Sequence, residues 1–140
     1  MRAVLDANVL ISALLSRTGA PARLLELWLD GAFDLVVSKA LLDEVERTLA
    51  RPNLRKRIAP EDAVRFIEIL EQLAEVVEDP KGVPALRSAD PDDDHLLALA
   101  ARERAQLVSG DEHVLALATT LPISSPRAFR DELQREHPAT

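Results

Sequence analysis

Clustered aspartates are the feature of this sequence that most directly suggests chemistry. A run of acids surrounds one proline in Asp90-Pro91-Asp92-Asp93-Asp94, and single aspartates stand at Asp6 and Asp111. Carboxylate oxygens are the ligands that Mg²⁺ and Mn²⁺ prefer, and one or two such ions can activate a water and offset charge on a phosphodiester. The acids therefore suggest metal-dependent phosphodiester hydrolysis, although acids at a helix start also serve as caps.

Asp93 is the member of this run whose position argues for more than capping. With Pro91 as the first helical residue, Asp93 shares one helix face, at spacings of three, four and seven residues, with Leu96, Leu97 and Ala100. The apolar members of that face must point into the protein, so Asp93 is predicted to point inward too. A lone buried carboxylate is costly unless it is paired or binds a metal.

The acids must be positioned by the strands and helices, which alternate along the chain. Apolar runs predict strands at Arg2–Leu5, Asp34–Val37, Ala74–Val77, Gln106–Ser109 and Leu121–Ser124. Helices are predicted over Val9–Leu15, Pro21–Asp30, Ser38–Ala50, Pro60–Leu73, Asp90–Arg104, Glu112–Ala118 and from Pro126 onward, with a loop over Asp79–Ala89. This order predicts one α/β domain over residues 1–140, a three-layer sandwich with a mainly parallel sheet between helices.

Polar residues follow three of the predicted strands. Asp6 and Ser38 come at the strand ends, and Asp111 comes shortly after the fourth strand. Sites in parallel sheets form outside the carboxyl ends of the strands, so these residues are expected at a common edge. Each also has a simpler interpretation, since Asp6 suits a turn, Ser38 could cap the helix that follows it and Asp111 could cap a later one. Asn8, two residues after Asp6, could likewise cap the first helix.

The helix that follows Ser38 carries three acids that the residue pattern does not separate. Its apolar face is formed by Leu41, Leu42, Val45 and Leu49. Glu44 and Glu46 flank that face on opposite sides, and Asp43 points outward. By pattern alone, each is interpreted as a solvated surface acid.

Composition limits the compartment and the partners. The chain has no cysteine, which excludes disulfides and thiolate metal sites and is typical of the cytoplasm. No apolar stretch approaches the roughly 18 residues of a membrane span. The net charge of −7 argues against contact with phosphates unless bound cations reverse the local sign. A basic cluster that includes Arg47, Arg51 and Arg55 could contact RNA or simply complement helix C-termini.

Four segments in order resemble the successive signatures of the PIN domain family: LDANVLISALL, VVSKALLDEV, DPDDDHLLALA and LVSGDEHVLAL. The resemblance covers nearly the whole chain and is strongest to the branch described as toxin components of toxin–antitoxin systems. It implies an Mg²⁺- or Mn²⁺-dependent endoribonuclease with an RNA substrate, a cognate antitoxin and a homodimeric state.

The resemblance also assigns site residues. The family's catalytic and metal-binding acids fall on Asp6, Glu44, Asp93 and Asp111. Supporting positions fall on Asn8, Ser38, Asp94 and Ser109. Since no acidic position of the pattern is missing, the resemblance implies an active enzyme.

Other interpretations fit part of the pattern. A noncatalytic PIN-like module that binds RNA or protein is the main alternative. A phospho-acceptor receiver domain fits poorly, because Asp6 has no paired acid beside it and the last lysine is Lys81. The histidines are predicted to lie at the surface, because carboxylate metal sites need no imidazole; they are His95, His113 and His137.

The second predicted helix has a wide apolar face. It comprises Leu24, Leu25, Leu27, Trp28 and Leu29. These residues span about 200° at ~100° per residue, more than a helix usually needs to cover a core. Trp28 is the only tryptophan, and aromatic residues are favoured at interface centres. The face predicts a homodimer or antitoxin contact, unless a larger core covers it.

Overall fold

Five parallel strands form one sheet in the order β3-β2-β1-β4-β5. The structure is a computed structural model that describes residues 1–81, 91–118 and 121–136, with only the backbone of residues 91–93 and 113. The strands are β1 (Arg2–Leu5), β2 (Asp34–Ser38), β3 (Glu75–Val77), β4 (Gln106–Val108) and β5 (Ile123–Ser124). All five strands were predicted, with ends that differ by one or two residues.

Helices connect the strands at the predicted places. They are α1 (Ala7–Leu15), α2 (Ala20–Leu29), α3 (Lys39–Leu49), α4 (Pro52–Arg55), α5 (Pro60–Leu73), α6 (Pro91–Glu103), α7 (Glu112–Leu115) and α8 (Pro126–Glu136). The single turn α4 was not predicted, because four residues are too few to show helical periodicity. Most of the predicted loop over Asp79–Ala89 lies outside the described residues.

The helices form layers on both faces of the sheet. Helices α8, α2, α1, α3 and α5 contact one another in that order, whereas α6 contacts β1 and β4. Right-handed crossovers place helices on opposite faces when the chain reverses its direction across the sheet, as it does between β3 and β4. The predicted three-layer α/β sandwich is therefore confirmed. None of the helices in the described ranges is long and apolar enough to span a lipid bilayer.

Strand β1 lies at the centre of the sheet, beside the point where the strand order reverses. The chain adds β2 and β3 on one side of β1 and β4 and β5 on the other. The register pairs Leu5 with Val108, and the Asp6 N–H donates to the Val108 carbonyl at 3.0 Å. In open parallel sheets, ligands bind in the crevice outside the carboxyl ends of the strands at this reversal.

Asp6 rather than Asn8 caps α1. The Asp6 backbone is extended, and its Oδ1 accepts a hydrogen bond from the Val9 N–H at 2.8 Å. Asn8 lies exposed within the first turn of the helix. The predicted cap at Asn8 was wrong, because the helix begins directly at the end of β1 with no intervening turn.

The apolar face of α2 is mostly core. Helix α2 packs between α1 and α8, which buries Leu24, Leu27 and Trp28. Trp28 is only 7% exposed, so it cannot be the centre of an exposed contact surface, and the prediction that placed it there was wrong. Leu29 is 58% exposed and is the apolar residue of α2 that the fold leaves uncovered.

The same leucine-to-alanine substitution, made once on each side of α2, distinguishes the buried side from the exposed side. Leu24→Ala is expected to lower the free energy of unfolding by about 2–5 kcal/mol, because it leaves a cavity in the core. Leu29→Ala is expected to change it by less than about 0.5 kcal/mol, because the side chain is already largely solvated. Urea unfolding measures both, and equal losses at the two positions would contradict this packing.

Candidate active site

Asp6 is a buried carboxylate at the strand reversal. Its side chain lies at the end of β1 and is 6% exposed. The carboxylate accepts hydrogen bonds from the N–H groups of Asn8 and Val9 and from the hydroxyl of Ser109. These donors come from the first turn of α1 and from the residue that follows β4, so the two neighbouring strand ends hold the same carboxylate.

Ser109 connects Asp6 to Asp111. Ser109 is fully buried, and its backbone N–H donates to the Ser124 carbonyl at 3.0 Å, continuing the β4–β5 ladder. Its Oγ accepts from the Asp111 N–H at 3.1 Å while its hydroxyl donates to Asp6. One buried hydroxyl therefore sets the position of both acids, and Asp111 stays half-buried at the rim.

Burial makes the charged form of Asp6 costly. Removal from water raises the pKa of Asp6 above its ordinary value, and the negative charge of Asp111 raises it further. The hydrogen bonds from Ser109 and Val9 lower the pKa of Asp6 but do not compensate for burial. A divalent cation beside the two acids would offset both the burial and the repulsion.

The pair Asp6 and Asp111 fits an Mg²⁺ or Mn²⁺ ion. Mg²⁺ is usually held by one or two carboxylates and keeps several waters. Among the side chains that the structure describes, no group of three or more His, Cys, Asp or Glu is close enough to hold a metal ion. The side chain of Asp93 lies outside the described residues, although its backbone lies in the first turn of α6. The convergence of all four predicted acids therefore stays a prediction.

Glu44 and Glu46 have different environments on α3. Glu44 is half-buried, whereas Asp43 and Glu46 are exposed. Glu46 lines a groove of about 380 Å³ between α3 and α5, which α5 residues such as Val64 and Ile67 also line. The fold thus distinguishes two acids that the helical pattern left equivalent.

The residues predicted to support the site have different environments in the fold. Ser38 is fully buried and caps α3, since its Oγ accepts from the Leu41 N–H at 3.3 Å. Asp94 is half-buried near the start of α6, whereas Asn8 is exposed. Ser38 was therefore correctly predicted as a cap.

The three arginines lie at the C-terminal end of α3 and at the short helix α4 that follows it. Arg47, Arg51 and Arg55 are all exposed. Helix α3 begins at the carboxyl edge of the sheet and has 11 residues, which extend about 16 Å. Arg55 donates from Nε to the Ala50 carbonyl at 3.0 Å and so complements the C-terminus of α3. RNA contact by these residues stays a prediction.

Asp79 and His95 form a contact that the sequence analysis missed. His95 Nε2 lies 3.2 Å from Asp79 Oδ1, and the Ala40 N–H donates to the same oxygen at 3.0 Å. Burial raises the pKa of Asp79, but hydrogen bonds from Ala40, Ser38 and His95 outweigh it and lower the pKa. Asp79 follows β3 by two residues, so the strand-end rule that selected Asp6 would also have found it.

The prediction of surface histidines was therefore incomplete. The His95 side chain is 29% exposed and bonded, not a free surface group. The side chains of His113 and His137 lie outside the described residues.

Known proteins share both the sequence pattern and this fold. The sequence profile of a family described as "PIN domain" matches residues 2–118. The uncharacterized protein MJ1680 of Methanocaldococcus jannaschii is 23% identical over 146 residues, which covers 96% of this chain and 93% of that protein.

Two solved structures that are similar to this chain contain VapBC proteins. VapBC2 from Rickettsia felis, bound to a DNA fragment from their promoter, matches with a TM-score of 0.61 and 16% identity, covering 89% of this chain and 98% of that chain. VapBC-1 from nontypeable Haemophilus influenzae matches with a TM-score of 0.63 and 20% identity, covering 91% of this chain and 99% of that chain. These likenesses show a common fold.

Asp6→Asn is expected to stabilise the metal-free protein at neutral pH. Asparagine caps a helix as well as aspartate, so the α1 cap is kept while the buried charge is removed. Because the pKa of Asp6 is raised on folding, wild-type stability falls as pH rises from the unfolded value of about 3.9 through the folded one. The stability gap should therefore shrink toward acidic pH.

Melting temperatures in EDTA measure that gap across the pH range. Asp43→Asn is the matched control, since Asp43 is exposed and should show no such trend. A wild type more stable than Asp6→Asn at neutral pH would show that the carboxylate is stabilised by its surroundings.

Proposed function

The chain belongs to the PIN domain family, and we propose that it is a metal-dependent endoribonuclease whose reaction centre lies where β1 and β4 end. One observation carries the proposal: the buried Asp6 carboxylate, with a raised pKa, interacts with the charge of Asp111 across the strand reversal. Because burial and mutual repulsion both disfavour two charged carboxylates, a cation is needed to offset their charge. A fold without such a role could replace either acid with a neutral residue.

Asp6 and Asp111 would hold the ion, and Glu44 and Asp93 would add two further carboxylates to the site. Bound Mg²⁺ or Mn²⁺ supplies activation of a water and neutralisation of charge on the phosphodiester. Glu44 is favoured over Glu46 because it is half-buried on the helix that contacts α1, whereas Glu46 faces the groove beside α5.

The chain's own residues supply positioning. The N–H groups of Asn8 and Val9 fix the Asp6 carboxylate, and Ser109 fixes Asp6 relative to Asp111. Since Ser109 is fully buried, water has little access beneath the acids, which strengthens electrostatic interactions there. Such fixed geometry lets the acids bind an ion without reorganising.

The RNA substrate must approach a chain of net charge −7. An ion held by Asp6 and Asp111 would reverse the local sign of the charge there. Arg47, at the C-terminal end of α3, and Arg51 and Arg55, at α4, would add contacts to the RNA backbone beyond the nucleotide that is cut.

We also propose that this ribonuclease is the toxin of a toxin–antitoxin pair and forms a homodimer in the cytoplasm. The support is the common fold with the chains of the Rickettsia felis and Haemophilus influenzae VapBC structures. Leu29 gives α2 one exposed apolar side chain for a partner to cover.

Substitution of the four acids tests the catalytic proposal. Asp6→Asn, Glu44→Gln, Asp93→Asn and Asp111→Asn are each expected to slow RNA cleavage by about 100-fold or more, because each removes charge that holds the ion. Single-turnover cleavage of RNA in Mn²⁺ measures the effect, and EDTA should abolish cleavage by the wild type.

Glu46→Gln is the matched control on the same helix and should cleave at the wild-type rate. If Glu46→Gln were inactive and Glu44→Gln active, the assignment on α3 would be reversed. A wild type that binds RNA but never cleaves it in Mg²⁺ or Mn²⁺ would favour the noncatalytic PIN-like module.

Expression in a host tests the toxin proposal. The wild type is expected to arrest growth, Asp6→Asn is not, and co-expression of a small protein encoded by the adjacent gene should restore growth. Leu29→Glu should weaken that partner's binding or shift the mass seen by light scattering, with little change in melting temperature. Unimpeded growth with the active enzyme would contradict the toxin assignment.

A further inference from the structure

The Asp79 carboxylate joins three elements at the carboxyl edge of the sheet. Asp79 lies two residues beyond β3, and the register places Val77 of that strand opposite Ser38. Its carboxylate receives the Ala40 N–H at 3.0 Å, the Ser38 hydroxyl, and His95 Nε2 at 3.2 Å. A carboxylate only accepts, so His95 donates through Nε2.

On the α3 side, Asp79 acts as a second cap. The Ser38 Oγ already accepts the Leu41 N–H, but the Ala40 N–H at the second helical position has no partner within the helix. Asp79 supplies that partner from another strand and places a negative charge at the helix N-terminus, where it is favourable.

On the α6 side, Asp79 holds a residue next to the acidic run. His95 directly follows Asp94 and lies two residues after Asp93. Helix α6 covers β1 and β4 on one face of the sheet, while α3 contacts α1 in the layer on the other face. The Asp79–His95 contact therefore connects the starts of the two helices across the edge where Asp6 lies.

We propose that Asp79 is a positioning residue that fixes the distance between Glu44 on α3 and the acids at the start of α6. This inference rests on the proposed function. Asp79 itself is not assigned as a ligand, because its carboxylate is already occupied by Ala40, Ser38 and His95. Outer groups that orient metal-binding side chains typically change metal affinity or activity 10–100-fold when removed.

The experiment measures Mn²⁺ binding by isothermal titration calorimetry on the full chain, without RNA. Asp79→Ala is expected to raise the Kd for Mn²⁺ by about 10–100-fold. His95→Ala should give part of that loss, His95→Gln should restore much of it by keeping an N–H donor, and the double variant should be no worse than Asp79→Ala.

Asp62→Ala is the matched control, because Asp62 is an exposed acid in the first turn of α5. It should leave the Kd for Mn²⁺ unchanged. Cleavage by Asp79→Ala should recover at saturating Mn²⁺ with an unchanged KM for RNA.

A purely structural cap would give a different result. If Asp79→Ala lowered the free energy of unfolding but bound Mn²⁺ as the wild type does, the proposal would be overturned. If Asp79→Ala did not fold, an unchanged Kd in His95→Ala would overturn it equally, since that variant keeps the α3 cap. A wild type that neither binds Mn²⁺ nor cleaves RNA would instead refute the proposed function.

Discussion

The hydrogen bond from the Asp6 N–H to the Val108 carbonyl extends the β1–β4 ladder past the end of β1. It fixes Asp6 beside Ser109 at the point where β1 and β4 end. The remaining contacts depend on this position: α1 can begin immediately because Asp6 is its cap, and Ser109 can reach both Asp6 and Asp111. The parallel ladder therefore determines where the acids meet.

Under the proposed function, the same arrangement would let an acidic chain act on a polyanion. Basic side chains lie at the C-terminal end of α3 and at α4, whereas Asp6 and Asp111 lie where parallel strands end. Burial raises the pKa of Asp6, the negative charge of Asp111 raises it further, and under the proposal a cation would offset both. On that proposal, attraction for phosphate would come from an ion and not from the protein surface, which net charge alone does not reveal.

Local signals in the sequence were enough to predict the sheet, the crossovers and the strand-end position of Asp6. They failed where a neighbour distant in sequence decides the outcome. Glu44 and Glu46 are equivalent on a helical wheel, but in the fold Glu44 is half-buried while Glu46 is exposed beside the groove between α3 and α5. Trp28 was misplaced for the same reason, since α8, a hundred residues later, covers α2.

The Asp79 contacts connect helices that lie in different layers of the fold. The sheet separates α3 from α6, so acids on the two helices can approach each other only around the carboxyl edge. Backbone pairing places Asp6 beside Ser109, and the Ser109 hydroxyl then holds Asp111, but a helix packed on a sheet can slide or tilt. A carboxylate that bonds Ala40 on one helix and His95 on the other removes that freedom. Acids that follow strands are therefore positioned through the backbone pairing of the sheet, whereas acids on helices need a side-chain contact such as that of Asp79.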